Sequence, residues 1–132
     1  MKQYKAVFID WDDTIGDFVG AAKRALQEMY DKYKLSDYFA SHEEFVSLYK
    51  PHNIELWQLY GEDKVTKAFL RVDRFLYPLL HGSKVASQIQ SYTILSALAE
   101  QMSEDFLHLT TKYFSLLPGA EELVRYLAKK YP

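Results

Sequence analysis

The sequence predicts an α/β chain that is itself mostly helical: one buried strand, an acidic loop, then five or six helices. Three observations predict it. Ala6-Val7-Phe8-Ile9 is an unbroken apolar run, which fits a strand buried on both faces of a parallel sheet. From Asp17 onward, apolar residues recur at three- and four-residue steps, the period of helices with one buried face. The closing Tyr131-Pro132 follows a helix at the place where an α/β chain turns into its next strand. A doubly buried strand must satisfy its backbone groups. The expectation is therefore that another chain, or a continuation of this one, supplies the missing part of the sheet.

Composition narrows the function classes. The 132 residues fit one domain, and 48% hydrophobic with 26% charged residues is the balance of an ordinary globular protein. A net charge of -2 offers no phosphate-neutralising face, so nucleic acid is not an expected partner. No apolar run approaches the ~20 residues of a membrane span, and Met1–Lys5 lacks a signal-peptide core, so no membrane role and a cytoplasmic location are expected. The absence of cysteine removes disulfides, thiolate metal sites and a cysteine nucleophile. Aromatic residues reach 16%, with 11 Tyr and 8 Phe, which suits a well-filled helical core better than a ligand-facing surface.

The elements follow in order. A strand is expected over Tyr4–Ile9 and a loop over Asp10–Asp17, where four acids and a glycine end the apolar run. A helix from Asp17 to Lys34 would bury Phe18, Ala22, Ala25, Met29 and Tyr33, with Asp17 at its start. After a connection over Leu35–Ala40, Ser41 and Glu44 form a candidate capping box. The helix they open carries Phe45, Tyr49, His52, Leu56 and Leu59 on one face, with a kink or break at Pro51 and an end at Gly61. Thr66 starts another helix with Phe69, Val72, Leu76 and Leu79 on one face, broken at His81-Gly82-Ser83. A long helix is expected from Lys84 to Tyr113, through Val85, Ile89, Tyr92, Leu95, Ala99, Met102, Phe106 and Leu109. Leu117-Pro118-Gly119 is a turn, and Ala120–Lys130 a helix with acids at its start and lysines at its end.

The chemistry concentrates in Asp10-Trp11-Asp12-Asp13-Thr14. Ligands of open α/β sheets bind beyond the carboxyl ends of the strands. Asp10 is the first residue past the apolar run, and Asp12, two residues on, can point the same way. Two carboxylates this close share a proton or bind a cation. An oxygen-only donor set of this kind suits Mg²⁺.

Val7-Phe8-Ile9-Asp10-Trp11-Asp12-Asp13-Thr14-Ile15 resembles the first motif of the haloacid dehalogenase superfamily in its phosphatase, 5'-nucleotidase-like form: an apolar strand, then Asp-x-Asp-x-Thr. The helices after it resemble that family's helical cap, and Leu116-Leu117-Pro118-Gly119-Ala120 resembles the return to its core. The resemblance implies an incomplete Rossmann-like α/β core with an inserted helical cap. Its parts would be 1–16 for the first core strand and catalytic loop, 17–115 for the cap and 116–132 for the return helix. It implies that Asp10 is the nucleophile, forming an aspartyl-phosphate, and that Asp12 is the general acid/base. Mg²⁺ would be bound by Asp10 and the backbone carbonyl of Asp12, while Trp11 and Thr14 support the phosphate loop. The second aspartate favours phosphate esters over halo-acids, and Asp13 stands where mutase-like members usually carry glycine. The family's later motifs, a Ser or Thr, a Lys and an acidic pair, would lie beyond Pro132. The expectation is a phosphohydrolase of a small phosphomonoester, with a nucleoside monophosphate as one candidate, whose 132-residue piece alone is inactive or nearly so.

Outside the loop, His52, Asn53, Trp57 and Tyr60 are candidates for a substrate-facing side of the cap, although Trp57 and Tyr60 suit an inter-helix core better. No pair of the four histidines has metal-ligand spacing. The alternative class is a non-enzymatic helical module or truncated remnant that pairs its strand with a partner, either a second copy or the missing half of the core.

Overall fold

The computed structural model describes residues 17–85, 92–114 and 119–130. Among them, every regular element is helical: α1 (Phe18–Lys32), a 3-10 turn (Leu35–Asp37), α2 (His42–Gly61), α3 (Lys67–His81), α4 (Tyr92–Tyr113) and α5 (Ala120–Lys130). The α/β class expected from the sequence is corrected accordingly to all-helical for the described residues. A single short apolar run carried that expectation, whereas the helical period fills the rest of the chain. The strand expected over residues 4–9 lies outside the described residues.

The chain divides into two compact units, Leu26–His108 and the two chain ends, Met1–Ala25 with Leu109–Pro132. Within Leu26–His108, α2 and α3 form an antiparallel hairpin. Asp63 adopts a left-handed conformation (φ 58°) in the turn between them, an arrangement that Asp tolerates better than most residues. Thr66 caps α3 by accepting the Phe69 N–H at 3.1 Å. The core of this unit is a run of aromatic rings. Phe39 packs on Phe45 (centroids 5.2 Å), Phe45 on Tyr49 (6.1 Å), Tyr49 stacks on Phe75 (5.2 Å) and Phe75 meets Phe106 edge-on (5.4 Å). Pairs in these geometries add about 0.5–1.5 kcal/mol each beyond the area they bury. Leu95, Ala99, Met102 and Phe106 present the buried stripe of α4, as their spacing predicts. The aromatic richness of the sequence is thus largely core.

Several local expectations need correction. Pro51 neither breaks nor ends α2, which runs unbroken from His42 to Gly61. Proline there deprives only the Ser47 carbonyl of a donor, and Ser47 and Pro51 both face solvent, where water substitutes. Of the face expected for α3, Leu76 and Leu79 are buried, while Phe69 and Val72 are not. Leu70, Arg74, Phe75, Leu76, Pro78 and Leu79 are buried, while Phe69 is 51% exposed. The stripe of α1 runs through Ala21, Ala25, Leu26 and Met29, leaving Phe18 outside it. Leu35 and Phe39, read as a connection, are fully buried, because a left-handed Lys34 (φ 51°) turns the chain back over the unit. Tyr92 is 63% exposed, and residues 86–91 of the expected long helix lie outside the described set.

The capping box forms by half. Ser41 Oγ accepts the Glu44 N–H at 3.1 Å, but the Glu44 carboxylate passes over Ser41. It accepts the Ala40 N–H (3.0 Å), the Ser83 N–H (2.6 Å) and the Ser83 hydroxyl (2.8 Å), tying the start of α2 to the segment after α3. The Ser83 bonds hold its carboxyl below the usual glutamate range. The lowered value means that this contribution is present above the ordinary glutamate range, about pH 4.3. It is lost as pH falls through the lowered folded-state value. Glu44→Gln is expected to cost about 1 kcal/mol at neutral pH. The stabilities of variant and parent should converge in acid, as chemical denaturation across pH will show.

Gly82 sits in the same clasp. A Cβ there would press on the Tyr38 carbonyl oxygen and lie 3.0 Å from the Phe39 ring. The carbonyl is fixed because it also accepts the Lys84 N–H at 3.0 Å. Gly82→Ala should destabilise by roughly 1–3 kcal/mol through overpacking; an unchanged melting temperature would show that the clasp is loose.

The unit of the chain ends has a small described core of Ala21, Ala25, Leu109 and Thr110. The Arg24 guanidinium lies 4.4 Å over the Tyr113 ring. Gly119 (φ 79°) precedes α5, where a left-handed backbone favours glycine. Along α5, Leu123, Val124 and Tyr126 are exposed, and Arg125 pairs with Glu121 at 2.5 Å.

Candidate functional site

Asp10, Trp11, Asp12 and Thr14 lie outside the described residues. The first described residue, Asp17, accepts the Gly20 N–H at 2.9 Å, so it acts as a local cap at the start of α1. Among the described residues, no group of three His, Asp or Glu side chains is placed to hold a metal ion. Nor is any helix long and apolar enough to cross a membrane.

The four cap candidates do not form one site. Five residues along α2 separate His52 from Trp57, about 140° around a helix axis, which puts them on different flanks. His52 faces α3. Its Nε2 is 2.7 Å from Asp73 Oδ2, its ring stacks on Tyr77 at 4.0 Å, and its Nδ1 is 3.9 Å from Glu55. Because the carboxylate of Asp73 can only accept, Nε2 carries the proton when the ring is neutral. Tyr77 in turn stacks on His81 at 4.1 Å, and His81 Nδ1 donates to the Tyr77 carbonyl at 2.8 Å. This ladder clamps His52 to the hairpin.

Trp57 and Tyr60 meet edge-to-face at 5.8 Å and are 41% and 37% exposed. They are not inter-helix core. Asn53 has a buried Oδ1 with no hydrogen-bond partner.

The sequence reading missed a second polar cluster. Arg74 is only 4% exposed, in the middle of the aromatic core. Its guanidinium lies 4.7 Å over Phe106 and 5.3 Å over Phe75, with the Tyr49 hydroxyl close enough to act on its charge. Its Nε is buried without a hydrogen-bond partner. Burial, and then the nearby positive charge of Arg71, push the Arg74 pKa down. Burial likewise raises the Tyr49 hydroxyl, against the opposing pull of Arg74. Elsewhere in the unit, Asp105 joins α1 to α4. It accepts Lys32 Nζ at 2.8 Å and the Tyr33 hydroxyl at 3.1 Å.

Compared with protein-family models and with curated proteins, the sequence matches none.

Proposed function

We propose that the chain carries the acidic loop of a Mg²⁺-dependent phosphohydrolase acting on a small phosphomonoester, of which a nucleoside monophosphate is one candidate. The observation that carries this reading is the spacing of Asp10, Asp12 and Thr14 directly behind an apolar run and ahead of a helix. Asp10 attacks phosphorus. Asp12 protonates the leaving oxygen and later activates water, a division that needs one carboxyl ionised and the other able to hold a proton. The two-carboxylate donor set suits Mg²⁺, held by Asp10 and the Asp12 carbonyl, which would neutralise phosphoryl charge there.

The test is phosphate release from a panel of nucleoside and sugar monophosphates, with and without Mg²⁺. It uses the protein isolated from its source with any accompanying chain retained. Mg²⁺-dependent release supports the reading, and none across the panel overturns it. The exposed apolar residues of α5 favour a second reading, a helical interaction module without activity.

A further inference from the structure

We infer that Arg71 and Arg74 of α3 form a binding site for one oxyanion group, phosphate or carboxylate, of a small molecule. The inference stands apart from the Asp10 motif and draws only on the unit Leu26–His108.

Burying a guanidinium is costly unless it is paired and its donors are satisfied. Arg74 is buried, yet among the described residues no carboxylate pairs with it. Its contacts are the Tyr49 hydroxyl and two ring faces, and its Nε has no acceptor. Ring faces attract the cation but leave that N–H unbonded. Arg71, three residues earlier and half-buried, compounds the problem. Its charge acts on Arg74 repulsively, and no acidic group of the described residues pairs with it either. Asp73, which lies between them in sequence, is turned to His52.

Two unneutralised guanidiniums at i and i+3 of one helix, one of them inside the core, form a strongly positive point in a low-dielectric setting. An oxyanion against both would turn their repulsion into attraction and supply the acceptor that Arg74 lacks. The planar forks of arginine suit such groups, which accept two N–H bonds at once. Arg71, which is not fully buried, gives the approach from solvent.

The test is thermal unfolding of the full chain in inorganic phosphate or acetate, with chloride balancing ionic strength. A saturable rise in melting temperature is expected with at least one anion. The phosphate arm identifies a phosphoryl ligand and the acetate arm a carboxylate ligand. Arg71→Gln should weaken the apparent affinity roughly tenfold or more. Arg74→Lys, which keeps the charge and loses the fork, should weaken it as well, while Arg125→Gln in α5 should not. Arg71 is not fully buried, so its variant is expected to fold even if Arg74→Lys does not. No saturable shift with either anion, or a shift retained in full by Arg71→Gln, overturns the inference.

Discussion

Asp10→Asn is expected to lower Mg²⁺-dependent phosphate release by roughly four to six orders of magnitude, the scale seen when a covalent nucleophile is removed. An amide oxygen is a far weaker nucleophile than a carboxylate oxygen and also a poorer ligand for a hard cation, so both effects act in one direction. Asp12→Asn should behave differently. It removes the proton donor of the proposed mechanism, worth about 10²–10⁴ in rate, and the loss should depend on the leaving group. An aryl phosphate, whose phenolate departs without a proton, should still phosphorylate Asp10, whereas an alkyl phosphate should not. Thr14→Ser keeps the hydroxyl and should change little. Full activity in Asp10→Asn would remove the nucleophile assignment, and equal losses in the rate of first-turnover leaving-group release from both ester types in Asp12→Asn would remove the general-acid assignment.

How much of this was legible in the sequence depended on the kind of signal. Helices with repeated apolar spacing and clear ends were readable. The stripe Leu95, Ala99, Met102 and Phe106 is buried as expected, and α5 begins and ends at the predicted residues. The α/β class rested on four apolar residues outside the described set, and pattern alone does not say what a strand there would pair with. The first half of the α3 face was misread because Phe69 and Val72 are more hydrophobic than Arg74, although Arg74 occupies the buried line with Leu70 and Pro78. Periodicity ranks residues by polarity and is blind to a buried cation held by rings. One sequence signal could have found the pair: neither Arg71 nor Arg74 has an acidic residue three or four positions away, where a surface arginine of a helix commonly finds one. The Glu44 clasp was half legible. The local cap follows from spacing, but the bonds to Ser83 join residues 39 apart, which no local pattern encodes. As for the candidate site, spacing along α2 did not reveal that His52 turns to Asp73 of α3 while Trp57 and Tyr60 lie on another flank, because shared membership of one helix does not mean a shared face.

Phe75→Ala carries the largest expected loss of stability, roughly 3–5 kcal/mol. The ring is fully buried, stacked on Tyr49 and set edge-on to Phe106, so its removal empties the centre of the aromatic run. Small domains have only about 5–15 kcal/mol in total. The melting temperature should therefore fall by roughly 10–20 °C, measurable by calorimetry. The variant also strips one wall from the setting of Arg74, whose guanidinium lies 5.3 Å from this ring. Arg74→Met separates the two contributions. Methionine fills much of the same volume without charge, and replacing a poorly compensated buried ion in this way is commonly neutral or stabilising by about 1–4 kcal/mol. Combined, the two substitutions should not be additive, since Phe75 partly serves to hold the cation. Phe75→Ala should cost less in the Arg74→Met background than in the parent, by a difference in the range of about 0.5–3 kcal/mol that contacting residues show. Were Arg74→Met instead to cost as much as Phe75→Ala, the rings and the Tyr49 hydroxyl would already compensate the guanidinium in full. The driving force for an anion at α3 would then disappear with that result.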